Sequence, residues 1–415
     1  MFISADVIVS DWTGLVFMHG TFKFIHCADL HLGSSFHGLS ESDEDLGKRL
    51  RESMFEALDN IVAIAREEDV DFVIFSGDIF DDTEETLLTR SRFVSAIKKI
   101  DKNCYICYGN HDDRRKWEKS LPLPKNAFVF SKTVEEYTFS KNDADVARII
   151  GASFSNQTTE DLIADIAGAK DIFNIGVFHC NLDSYSQDDV YAPCKKDSLL
   201  KKGIDYWALG HIHKRRIVSE RPYIVYPGNT QGKKITELGI KGCYVVTVTD
   251  GSVSSIDFHR TGNFAFEDVV IDITDKNNFL DAIDVCCSNL DDKSILKITI
   301  SGRGVLDNEL RTDGEDSVKK TIEERTGHTV ASLSFSSMPD IDLDLREKTG
   351  DFLSEVIKCG KKLSGVSRDS LLDKICSTKL SKSIKSEFEI FDDKQLKKMI
   401  TDARNRIVWA LLQGR

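Results

Sequence analysis

Five times between residues 22 and 213 an apolar run stops abruptly at a Gly, Asp or His. Phe22 to Ala28 leads into Asp29-Leu30-His31, and Asp71 to Ser76 leads into Gly77-Asp78-Ile79-Phe80-Asp81. Cys104 to Tyr108 leads into Gly109-Asn110-His111-Asp112, residues 173–179 end on His179, and residues 205–209 lead into Gly210-His211-Ile212-His213. Short apolar runs closed by such residues predict buried strands. Between the first two runs, Leu46, Leu50, Met54, Leu58, Ile61 and Ile64 recur at helical spacing and predict a helix over 44–68. A second helix is predicted over 84–100, and hairpin strands over 223–226 and 242–258. Strands alternating with helices imply a layered α/β domain with its function at the strand ends.

The residues at those ends share one chemistry. They comprise three carboxylates (Asp29, Asp78, Asp81), the amide of Asn110, and His31, His111, His179, His211 and His213, five of the chain's ten histidines. Alternation along an extended chain would place Asp29 and His31 on one side of the backbone, and likewise His211 and His213. Gly77, Gly109 and Gly210 suit sharp exits from strands. Taken singly, each segment is as readily a cap, a turn or a satisfied core histidine. Their occurrence in order, each at a strand end, points to a metal centre. Oxygen and imidazole donors without a thiolate suit Mn, Fe or Zn more than copper or iron–sulfur. A shared carboxylate could hold two ions about 3.5–4 Å apart, a pair that activates water and clamps phosphate oxygens.

Composition qualifies the substrate. A formal net charge of -13, with 30% charged residues, is not that of an obvious nucleic-acid binder. Basic residues nevertheless follow the motifs: Arg114, Arg115 and Lys116 after His111, Lys214, Arg215 and Arg216 after His213, and Lys233 and Lys234 after Pro227-Gly228. They are candidates for phosphate contact without sequence readout, against the plainer reading of solvated surface charge. His37, in the loop after the first motif, reads as a surface histidine. Ten cysteines without a disulfide framework imply a reducing, cytoplasmic setting, and Cys104-Tyr105-Ile106-Cys107 reads as a buried strand, not as half of a zinc site. No apolar stretch reaches the ~18 residues of a membrane span. The first twenty residues carry Asp6 and Asp11 and lack the cationic start of a secretory signal.

After residue 262 the rhythm changes. Strands at 264–273, 294–301 and 329–336 and helices at 275–289 and 314–325 predict a small α+β domain. Residues 346–415 read as helices, the last of which would align Leu396, Met399, Ile400, Ala403, Ile407 and Leu411, either to dock on a partner or to pack on its own domain. The expected division is an N-terminal extension at 1–20, a catalytic domain at 21–262, an α+β domain at 263–340 and a helical region at 341–415.

With these motifs the chain resembles the calcineurin-like metallophosphoesterases, strongly over residues 22 to 260. More narrowly it resembles the SbcD-type DNA repair nucleases and their YhaO-like relatives. Phe24-Ile25-His26-Cys27-Ala28-Asp29-Leu30-His31-Leu32-Gly33, Gly77-Asp78-Ile79-Phe80-Asp81 and Tyr226-Pro227-Gly228-Asn229 carry the nuclease likeness. Gln231-Gly232, Glu237-Leu238-Gly239 and Lys241-Gly242-Cys243 carry the YhaO-like one. The resemblance implies a four-layer α/β/β/α core, a small α+β capping domain and a helical C-terminal tail. It implies that Asp29, His31, Asp78 and His213 hold one divalent ion and Asp78, Asn110, His179 and His211 a second, with Asp78 bridging. His111 would be the catalytic histidine and Asp81 its orienting partner. The reaction implied is DNA hydrolysis in repair, as exonuclease and single-strand endonuclease, with manganese foremost and Fe, Zn or Mg as other ions. The partners implied are DNA, an SbcC-like coiled-coil ATPase docked by the C-terminal helices, and a second copy in a homodimer. Protein phosphatases of the superfamily carry Arg after G-D-x-x-D and Glu after Asn-His; Asp82 and Asp112 stand there instead. A phosphodiesterase or phosphatase acting on small phosphoesters such as cyclic nucleotides shares the metal motifs and is the alternative.

Overall fold

A computed structural model describes residues 20–34, 44–81, 85–112, 117–155, 158–182, 193–291, 293–340, 343–367, 369–371 and 392–412. The expected N-terminal extension up to residue 19, His37, Asp82, Arg114, Arg115 and Lys116 lie outside the described residues. The chain divides into two units, Met1–Phe266 and Glu267–Arg415.

The strands of the first unit are β1 (Thr21–Cys27), β2 (Phe72–Ser76), β3 (Asn103–Cys107), β4 (Ala127–Val129), β5 (Glu135–Lys141), β6 (Ala144–Ala152) and β7 (Phe173–His179). After them come β8 (Asn181–Leu182), β9 (Pro193–Cys194), β10 (Tyr206–Gly210), β11 (Arg216–Glu220), β12 (Tyr223–Tyr226), β13 (Gly242–Thr249) and β14 (Ser252–Arg260). Its helices are α1 (Glu44–Glu67), α2 (Leu87–Ile100), α3 (Thr159–Leu162) and α4 (Lys196–Leu200). One six-stranded sheet has the order β14-β13-β1-β2-β3-β4, the other β11-β12-β10-β7-β6-β5. β1 to β4 run parallel, as do β6, β7, β10 and β12, so their C-terminal ends gather.

The period of two along each strand explains the stacking. Phe22, Phe24, Phe72, Ile74 and Tyr105 meet Phe173, Ile175, Val177, Tyr206 and Val225 in a core between the two sheets. There Phe24 stacks on Phe72 with centroids 5.2 Å apart and meets the edge of Tyr206 at 5.3 Å, tying β1 to β10. Alternate residues such as Ile25, Val73, Phe75 and Ile106 are also buried. On that outer side Phe93 of α2 meets Phe75 at 5.5 Å. Behind the other sheet, Phe178, Trp207 and Leu209 pack with Ile163, Ile166 and Leu199. The layering is helix, sheet, sheet, helix. Helix α2 begins at Leu87, later than the apolar pattern alone predicts, because Thr86 and Thr89 form a capping box. Cys104 and Cys107, three positions apart on β3, are both buried, and Cys107 belongs to the inter-sheet core.

The second unit has a three-stranded sheet ordered β15 (Ala265–Asp272), β16 (Ser294–Ser301), β18 (Thr329–Phe335). Short β17 (Arg303–Gly304) pairs with β19 (Met338–Pro339). Ile271, Ile283, Leu296, Ile298, Val318 and Ile322 share its core with helices α5 (Phe279–Cys287), α6 (Leu306–Asp313) and α7 (Glu315–Thr326). After α8 (Leu343–Arg346), helices α9 (Phe352–Ser364) and α10 (Asp393–Leu412) pack together. The predicted stripe on the last helix is divided. Leu396 is buried, and Val408, outside that stripe, joins Leu353 and Ile357 in a small core, while Met399, Ile407 and Leu411 are 40%, 50% and 36% exposed. Residues four apart follow a row inclined to the axis, so one apolar stripe supplies both a packed and an open row. No helix among the described residues is long and apolar enough to cross a membrane.

Candidate metal centre

The chain leaves β1, β2, β3, β7 and β10 at one edge, and every exit carries polar side chains inward. Asp29, His31, Asp78 and His179 are all within 3% of full burial. The exits are not extended. Asp29, His31, Asp78 and His211 adopt φ of 53°, 45°, 51° and 100°, a region that costs non-glycine residues energy. The alternation expected for Asp29-Leu30-His31 and His211-Ile212-His213 therefore does not operate; left-handed turns bring the side chains together instead. Backbone bonds hold those turns: Asp29 N–H to Gly77 O at 3.0 Å, His31 N–H to Asp78 O at 3.0 Å and Leu32 N–H to Ile79 O at 2.9 Å. A Cβ at Gly109 would strike the Asp78 carboxylate and backbone, and one at Gly210 would strike the Ser76 carbonyl. Both glycines are required by close approach, more than by their own φ.

The donors converge in two groups. In one, Asp29, His31 and His213 present ligand atoms within 4.8 Å of one another; in the other, Asp29, Asp78 and His179 do so; His31, Asp81 and His111 form a third such cluster beside them. His31 Nε2 faces His213 Nε2 at 3.0 Å. His179 Nε2 lies 3.3 Å from Asp78 Oδ2 and 3.1 Å from Asn110 Oδ1, and His211 Nδ1 lies 3.3 Å from the same amide oxygen. Asp29 belongs to both groups, and Asp78 Oδ2, 3.7 Å from His31 Nε2, reaches from the second toward the first. Asp29 Oδ1 accepts from His211 N–H at 3.0 Å, while its buried Oδ2 has no hydrogen-bond partner among the described residues. A buried carboxylate oxygen without a donor, beside two imidazole nitrogens facing each other, fits a cation.

Burial raises the Asp29 pKa, helped by the charge of Asp78 and opposed by His213 and His179. Burial likewise pushes Asp78 up, but His179, His31 and His111 outweigh it and hold it well below the usual carboxylate range. Burial lowers His179, yet Asp78 and Asp29 override it and push it up to about 9.

His111 sits beside the groups. Its Nδ1 is 3.1 Å from Asp81 Oδ1, and its side chain is 35% exposed. The bond to Asp81 raises its pKa against the effect of burial. Asp81 also takes Lys233 Nζ at 3.0 Å, so Lys233, a candidate for DNA phosphate, is committed to a carboxylate with its side chain 9% exposed. Of the other basic candidates, Arg215 lies over the Phe258 ring at 3.9 Å, and Lys214 is exposed. Asp112, where protein phosphatases carry Glu, is buried and accepts from the backbone N–H of Phe80, Gly109 and Ile79 at 2.8, 2.8 and 3.1 Å. It clips the β2 and β3 exits together.

Two residues escaped the sequence reading of the site. Glu237 Oε1 lies 2.7 Å from His213 Nδ1, and buried Asn229 donates to Glu237 Oε2 at 2.8 Å. Neither belongs to an apolar periodicity. The only available signal was the motif likeness around Tyr226-Pro227-Gly228-Asn229 and Glu237-Leu238-Gly239.

Residues 22–215, which contain all five strand exits, match the family model for the calcineurin-like phosphoesterases. The chain carries a calcineurin-like metallophosphoesterase domain. Among relatives, the "Uncharacterized metallophosphoesterase YhaO" of Bacillus subtilis is 37% identical over 262 residues, 61% of this chain and 64% of that protein. The DNA double-strand break repair protein Mre11 of Methanococcus maripaludis is 27% identical over 232 residues, 52% of this chain and 59% of that protein. Mre11 of Thermoplasma acidophilum is 27% identical over 248 residues, 55% of this chain and 63% of that protein. The chain thus spans about three fifths of the length of these curated relatives. Metallophosphoesterases are hydrolases with a dinuclear metal site, and the Asp29–His31–His213 and Asp29–Asp78–His179 groups are candidates for it here.

Proposed function

We propose that this metallophosphoesterase hydrolyses phosphodiester bonds in DNA, with manganese as the foremost ion. The observation that carries the two-ion reading is Asp78, fully buried between the His31–His213 and His179–Asn110 groups. Asp29, His31, Asp78 and His213 would hold one ion, and Asp78, Asn110, His179 and His211 the other. Bound there, two divalent ions would supply a water of lowered pKa and positive charge for the phosphate oxygens. His111 would bind the phosphate and give a proton to the departing oxygen from Nε2, since Asp81 occupies its Nδ1 side at 3.1 Å. Asp81 orients that ring, and Lys233 holds Asp81. DNA as substrate is supported by the nuclease-like motifs and by the printed function of the Mre11 relatives. An SbcC-like ATPase docking on the open row of α10, and a homodimer, belong to the same proposal.

A second reading, hydrolysis of a small phosphoester such as a cyclic nucleotide, is favoured by one observation: the net charge of -13 opposes binding of a polyanion. The test is incubation of end-labelled linear duplex and single-stranded DNA with manganese, magnesium or chelator, beside a cyclic nucleotide. Manganese-dependent shortening of DNA supports the nuclease. Intact DNA together with rapid cyclic-nucleotide turnover transfers the proposal to the second reading.

A further inference from the structure

The rings of His179 and His213 are held by different means. His179 Nδ1 bonds the Ser76 carbonyl at 3.0 Å, so β2 itself sets that ring. His213 Nδ1 lies 2.7 Å from Glu237 Oε1, a side chain from the loop that joins β12 to β13. Glu237 is in turn fixed on its other oxygen, which accepts from Asn229 Nδ2 at 2.8 Å and from the Lys233 backbone N–H at 2.7 Å. The Glu237 N–H bonds the Lys234 carbonyl at 2.8 Å and closes the turn. A carboxylate that accepts from Nδ1–H fixes the tautomer and leaves the Nε2 lone pair free. That nitrogen faces His31 Nε2 at 3.0 Å.

We infer that Glu237 is the positioning residue that makes His213 Nε2 a metal ligand, with Asn229 and the Lys233 backbone holding its carboxylate. The inference rests on the two-ion reading above. The loop has a second arm, since Lys233 Nζ reaches Asp81, the partner of His111. One surface segment thereby braces both a ligand of one ion and the catalytic histidine. The residues assigned to the other ion, Asp78, Asn110, His179 and His211, receive no bond from Glu237 among the described residues.

The experiment is a manganese titration of the full chain against a chromophoric chelator, for the wild type, Glu237→Ala and Glu237→Gln. The melting temperature of each is measured in excess chelator as well. The wild type should bind two ions. Glu237→Ala should weaken one of them by about 10–100-fold and leave the other essentially unchanged. Glu237→Gln keeps an acceptor for Nδ1–H but loses the charge, and its weakened constant should fall between the two. Two wild-type constants in Glu237→Ala overturn the inference. So does an equal loss at both sites that tracks a lower melting temperature in chelator, which would make Glu237 a general support of the loop. If Glu237→Ala does not fold, Glu237→Gln decides alone: one weakened ion supports the role and two unchanged ions overturn it. A wild type that binds fewer than two ions would instead sink the two-ion reading and leave the Glu237–His213 contact to be explained as structure.

Discussion

The strand exits and the loop between β12 and β13 both build the candidate site, by opposite means. At the exits, the backbone of a parallel sheet does the placing: His179 is bonded to Ser76 O, and the Asp29 and His31 turns to Gly77 O and Asp78 O. In the loop, side chains do it: Asn229 and the Lys233 N–H hold Glu237, which holds His213, and Lys233 Nζ holds Asp81. A ligand set by a sheet cannot shift without the core shifting, because the core is close-packed. A ligand set by a loop carboxylate can be changed by one substitution outside the core. The exits should therefore decide whether the chemistry exists, and the loop how well it runs.

The largest effect should come from Asp78→Ala. If Asp78 bridges both groups, its loss removes both ions, and phosphodiester cleavage falls by at least about a thousandfold, several kcal/mol of barrier. Metal analysis of the dialysed protein checks this, and retention of one full ion would break the bridging assignment. Gly109→Ala tests the same region without touching a donor. Its Cβ would strike the Asp78 carboxylate and backbone. Overpacking of about 1–3 kcal/mol and weakened binding of both ions are expected, by melting temperature and metal titration. An alanine variant with normal stability and normal metal binding would show that Asp78 has room to move.

This part of the molecule was legible in the sequence for a physical reason. Buried parallel strands are short, uniformly apolar runs, and their ends must be punctuated by residues that tolerate left-handed turns. Asp29, Asp78 and His211 are such punctuation and also donors, so one pattern reports both fold and site. The extended-chain geometry inferred for Asp29-Leu30-His31 was wrong in mechanism because sequence spacing carries no φ. Strands β4 to β6 drew no expectation: β5 alternates as Glu-Glu-Tyr-Thr-Phe-Ser-Lys with every residue partly open, and β4 has only three residues. Helix α6, Leu-Asp-Asn-Glu-Leu-Arg-Thr-Asp, is too polar and short to declare itself. Glu237 and Lys233 lie in a polar loop where no periodicity distinguishes a brace from a solvated charge. On α10, an apolar stripe was visible, but not which of its rows would be covered.

Smaller effects should come from the loop and the surface. Lys233→Met removes the bond to Asp81 and should lower kcat by about tenfold or less through a worse-held His111, with KM for DNA nearly unchanged. A raised KM with a salt dependence shallower by about one charge would instead return Lys233 to the phosphate contacts. Lys214→Ala, at an exposed position beside His213, should change only DNA affinity, by a few-fold at low salt, and the change should fade as salt rises. Binding curves at two salt concentrations check it.

The central claim is that His111 moves a proton while its neighbours hold the ions. The most direct measurement pairs manganese content with cleavage of end-labelled linear duplex DNA for the wild type and His111→Ala. The account predicts two ions in both proteins and cleavage lower in the variant by about 10²–10⁴-fold. Loss of an ion from His111→Ala, or undiminished cleavage with both ions present, would contradict it.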